Sequence, residues 1–87
     1  MGYHLTKIKK GVVGEISKIQ EELDELKDAD GRNKILELCE LSDICAAIQC
    51  YIEKHHPGIT MEDLIGMGRL TISSFKDGER HESQVLD

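Results

Sequence analysis

Two short patterns in this sequence carry chemistry. Glu22 and Glu25 stand three residues apart, Glu40 and Asp43 do the same, and 14 residues separate the pairs. Residues three apart share one side of a helix, so each pair presents two carboxylates together. The second pair lies in ILELCELSDICAAIQCYI, the most apolar stretch of the chain, with Glu37 a further turn back on the same side. Burying an ionised carboxylate without a counter-charge costs several kcal/mol, and close carboxylates repel one another as well. Such groups are either protonated or neutralised by cations, and this segment has only Lys34 and Lys54, at its ends. Placed side by side, the two segments put four carboxylates in one crevice. An all-oxygen donor set without histidine suits a hard cation, Mg²⁺ or Mn²⁺. A di-iron oxidase-like bundle would want Glu-x-x-His pairs. None occurs here, because His55 and His56 come about four turns after Glu40.

The elements that must position these residues are helical. Only Pro57 interrupts the chain as a proline, and strand-forming residues are few. After a short basic lead, a first helix is expected from Val12 to Ala29, with the stripe Val12, Ile16, Ile19, Leu23, Leu26. Glu15 and Glu22 flank that stripe, Glu25 lies beside Glu22, and Glu21 and Asp24 point the other way. Asp30-Gly31 ends this helix, with Gly31 as its C-terminal cap. Asn33 caps a second helix running to Lys54 or His55. Leu36, Leu38, Leu41, Ile44, Ile48 and Ile52 surround its axis, so burial on all sides is expected. Thr60 and Asp63 form a capping box at the start of a third helix, which should end near Asp77-Gly78. Residues 1–80 are expected to form one all-α domain, a helical hairpin plus a third helix, and residues 81–87 a polar, frayed tail.

Composition narrows the function. The 87-residue chain carries a net charge of -6 and three aromatic residues, Tyr3, Tyr51 and Phe75. A basic face and a base-stacking surface are both missing, which argues against nucleic acid as a partner. No apolar run approaches the roughly 20 residues of a membrane span. Cys39, Cys45 and Cys50 lack metal-ligand or redox spacing and read as small buried hydrophobes in a reducing compartment. The cytoplasm is the expected location.

The pattern Glu21-Glu22-x-x-Glu25-Leu26, followed by Glu40-Leu-Ser-Asp43-Ile44, resembles the MazG-like, all-α nucleoside triphosphate pyrophosphohydrolases. The hallmark of that family is ExxE on one helix and ExxD on the next. The lead HLTKIKKGVVGEISKIQEELDEL and the ending FKDGER look like its small phage-borne members, for which the compartment would be the host cytoplasm. The resemblance implies Mg-dependent cleavage of the α–β bond of a (deoxy)nucleoside triphosphate, giving monophosphate and pyrophosphate. It implies Glu22, Glu25, Glu40 and Asp43 as metal ligands, with Glu22 or Glu25 also orienting the attacking water. Phosphate donors are expected among Lys18, Lys76 and Arg80, with Lys7, Lys9, Lys10 and Arg69 as further candidates. Family members of this size place a Lys or Arg shortly before the F-x-x-G-x-R ending, where this chain has Ile72, Ser73 and Ser74. That departure motivates an alternative, a catalytically inactive interaction module of the same fold. A hairpin and one helix make a thin core, so a homodimer or dimer of dimers completing a helical bundle is expected.

Overall fold

A computed structural model describes residues 5–81, with the backbone alone for 79–81. The described chain forms three helices and contains no strand: α1 (Ile16–Ala29), α2 (Lys34–His55) and α3 (Met61–His81). Among the described residues no helix is long and apolar enough to cross a membrane.

The first helix begins four residues later than the apolar stripe suggests. Gly14 takes φ +88°, a conformation closed to most side chains, and Glu15 is extended. Val12 therefore closes a turn, accepting the Glu15 amide at 2.9 Å, and does not enter the helix. Gly31 (φ +80°) follows the last turn as expected. Its amide donates to Glu37 Oε2 at 2.8 Å. Asn33 Oδ1 accepts the Leu36 amide at 3.0 Å, which satisfies one open donor at the start of α2. Thr60 and Asp63 form the reciprocal box at the start of α3, with bonds of 2.9 and 3.1 Å. This third helix runs through Gly78 to His81, past the expected stop. Glycine costs a helix about 1 kcal/mol but ends it only where the backbone turns left-handed, and Gly78 does not.

The lead is ordered against α1 by two acidic side chains. Asp28 accepts the amides of Leu5 and Thr6 and the Thr6 hydroxyl, at 2.9–3.2 Å. Glu21 accepts the Gly11 amide at 2.8 Å. Near the far end of α2, Lys54 pairs with Glu15, and His55 Nε2 donates to the Gly14 carbonyl at 3.1 Å. The His55 ring also stacks on Tyr51, their centroids 4.5 Å apart.

Only α1 and α2 pack extensively on each other. The radius of gyration is 15.6 Å, against about 12 Å for a compact chain of this length. Buried apolar residues among those described are Ala29, Ala47 and Ile52. The expectation that α2 is buried on all sides is therefore corrected for a single chain. Ile35 (73 % exposed), Leu38 (65 %) and Leu41 (46 %) face outward, because one neighbouring helix covers only part of a circumference. Cys39 and Cys45 are exposed and Cys50 is half-buried, so the cysteines are not core residues of the protomer. Val12, Ile16 and Leu23 of the α1 stripe are exposed too, as are Ile65, Met67, Leu70, Ile72 and Phe75 of α3.

Candidate metal centre

The hairpin brings the four carboxylates together. Glu22, Glu25, Glu40 and Asp43 each offer one oxygen, and these oxygens all lie within 4.8 Å of one another. Glu40 is wholly buried and Glu22 is 6 % exposed. Glu25 is half-buried and Asp43 lies at the open side. The first pair rides on α1 and the second on α2, and the helix–helix contact sets their separation. Small side chains help the approach, with Ala29 and Ala47 both buried.

The group fits a divalent cation. Glu22 Oε1 is buried and has no hydrogen-bond partner, a costly arrangement for a carboxylate oxygen that nothing else compensates. Opposite oxygens around an octahedral Mg²⁺ are about 4.2 Å apart. The four carboxylate oxygens, all within 4.8 Å of one another, lie at a spread of the same order. All donors are oxygens, as a hard cation prefers.

Of the expected phosphate donors, Lys18 borders the group. Its ammonium sits 3.0 Å from Glu22 Oε2 and 3.1 Å from Glu21 Oε1. The Glu22 carboxylate beside it, helped by Glu21, outweighs burial and raises the Lys18 ammonium above the usual lysine range. Lys18, Glu22 and Asp43 share a pocket of about 210 Å³ with Val13, Ala46, Ala47 and Cys50. Lys76 is exposed on α3, which packs only marginally on the hairpin. Lys7, Lys9, Lys10 and Arg69 are also exposed. The side chain of Arg80 lies outside the described residues.

Two acidic residues take roles that spacing did not reveal. Glu37 does not join the group, since its carboxylate receives the Gly31 amide and closes the α1–α2 turn. Glu21 points away from the group but is 3 % exposed, held by the Gly11 amide, Lys18 and, at 3.6 Å, Lys10. Burial opposes its ionisation, yet the Gly11 amide and the two lysines keep its carboxyl below the ordinary glutamate range. The available signal was Gly11 itself. A Cβ there would lie 2.2 Å from the Ser17 carbonyl oxygen, so the lead approaches α1 too closely for any other residue.

In comparisons with known proteins, no family model matches the chain, and no curated protein or solved structure matches it significantly.

Proposed function

We propose that this protein is a MazG-like, Mg-dependent nucleoside triphosphate pyrophosphohydrolase. The observation that carries the reading is the convergence of Glu22, Glu25, Glu40 and Asp43 from two helices, two of them buried. Buried acids gathered in this way repel one another unless they are protonated or a cation stands among them, and a dication meets several of them at once. Mg²⁺ or Mn²⁺ held there supplies the positive charge that lets an acidic protein accept a triphosphate and offsets the charge developing in phosphoryl transfer.

The chain's own residues do the rest. Glu40 and Glu22 form the buried floor of the site, and Asp43 and Glu25 stand nearer its opening. A carboxylate of Glu22 or Glu25 orients water toward the α-phosphorus and accepts its proton. The new oxygen–phosphorus bond forms on the α-phosphate as the bridging bond to the β-phosphate breaks, and pyrophosphate leaves. Lys18 stands beside this space as the available phosphate donor.

A homodimer belongs to the same proposal. A protomer with Ala29, Ala47 and Ile52 as its buried apolar residues, and with Leu38, Leu41, Leu70 and Phe75 exposed, is too thinly packed to stand alone. A second copy covering α2 and α3 completes a helical bundle. Sedimentation at micromolar concentration is expected to give a dimer or dimer of dimers. A well-folded monomer would remove this part of the reading.

The catalytic claim is tested by measuring pyrophosphate and monophosphate release from a panel of dNTPs and NTPs with Mg²⁺. Turnover that stops on chelation supports it. No turnover of any nucleotide would favour the second reading, an inactive interaction module, for which the uncharged Ile72-Ser73-Ser74 stretch and the exposed apolar side of α3 speak.

A further inference from the structure

Lys18 holds two carboxylates of different kinds. Glu22 belongs to the acidic group, whereas Glu21 lies outside it and is anchored by the Gly11 amide and Lys10. The ammonium is within 3.1 Å of an oxygen of each, on a side chain only 26 % exposed. Its partner oxygen on Glu22 is Oε2, while Oε1 of the same carboxylate is buried without a hydrogen bond. Lys18 and the ligands Glu22 and Asp43 also line one pocket.

Accepting the metal-centre reading above, we infer that Lys18 is the resident counter-ion of that centre, neutralising Glu22 when no metal is bound and withdrawing onto Glu21 when one is. Lys18 bonds one oxygen of Glu22 and leaves the other without a hydrogen bond, so on that reading the site still attracts a dication. Ammonium and dication nevertheless compete for the same carboxylate and repel each other at this range. Glu21 gives Lys18 a second seat already within bonding distance, so the exchange needs only rotation about the terminal bonds of one side chain. Lys18 itself lines the pocket it shares with Glu22 and Asp43, where a phosphate turns the repulsion into attraction. Lys18 thus opposes the bare metal and favours the metal–nucleotide pair.

This gives a change of sign that a merely structural lysine would not produce. Calorimetric titration of Lys18→Met with Mn²⁺ alone is expected to show binding about tenfold tighter than wild type. Titration with Mn²⁺ and a non-hydrolysable dNTP analogue is expected to show binding about tenfold weaker. Lys18→Arg, which keeps the charge, should follow wild type in both. Lys18→Gln retains a donor to Glu21 and should behave as Lys18→Met, which covers the case in which the apolar variant does not fold. Unchanged or weaker Mn²⁺ binding in a folded Lys18→Met or Lys18→Gln protein overturns the inference and leaves the metal centre standing. Absence of Mn²⁺ uptake by the wild type, with or without nucleotide, overturns both.

Discussion

Glu21 and Glu22 are neighbours in sequence and both buried on α1, yet apart from Lys18, which touches both, their surroundings differ in kind. Glu21 faces the lead and meets an amide and two ammonium groups. Glu22 faces α2 and meets three more carboxylates, with Lys18 on one oxygen and nothing on the other. The first is a finished interaction that shapes the fold. The second leaves an oxygen of Glu22 without a hydrogen bond, and the proposed metal centre would place a cation beside it. Burial of an acid therefore does not by itself mark a functional site; the partners that surround it do.

The sharpest way to break this contrast is to remove one carboxylate from each side. Glu40→Gln should lower pyrophosphohydrolase activity at least about a hundredfold, since loss even of residues supporting a metal ligand costs up to that much. The same change should raise the melting temperature of the metal-free protein, because it relieves repulsion among buried charges. Glu21→Ala should do the reverse to stability, costing about 1–3 kcal/mol in denaturant unfolding by orphaning the Gly11 amide. It should leave the number of bound Mn²⁺ ions unchanged. If both variants destabilise the metal-free protein alike, the two sides of α1 are not different in kind.

Gly11→Ala probes the finished side from its partner. The added methyl meets the Ser17 backbone, and a loss of about 1–3 kcal/mol is expected in the same unfolding measurement. The smallest effect concerns Glu15, a half-buried acid whose carboxyl Lys54 holds below the ordinary glutamate value of 4.5. A depressed folded value means that its contribution is present above that ordinary value. It is lost as the pH falls through the lower, folded one. Comparing acid unfolding of wild type and Glu15→Gln should show the two curves converging as the pH falls well below the ordinary glutamate value. Curves that remain parallel would separate Glu15 from the acid response.

The sequence made much of this legible where local chemistry is strong. Asn33, the Thr60–Asp63 box and Gly31 announced the helix ends, and the spacing of Glu22, Glu25, Glu40 and Asp43 announced the cluster. Less legible were features that depend on a distant or aperiodic partner. Nothing in the periodicity of α1 distinguishes the fate of Glu21, because its partner amide belongs to an irregular lead. Hydrophobicity identified Leu38, Leu41 and Cys45 as residues suited to burial, and the thin core expected of a hairpin plus one helix leaves them exposed in the single chain, although which residues stay uncovered was not legible. The start of α1 was misplaced because Val12 continues the apolar rhythm while Gly14 breaks the backbone behind it.

The bond from the Gly31 amide to Glu37 has a consequence for the geometry of the carboxylate group, although neither residue belongs to it. It clasps the connector to the opening turn of α2 and so fixes the stagger between two rods. Each residue of slippage along such a rod advances a side chain by about 1.5 Å and swings it by about 100°. The connector therefore acts as a gauge: lengthen it by one position, and a carboxylate that met its counterparts across the hairpin would sweep out of reach. Its length is as much a condition of the carboxylate group as the acids themselves.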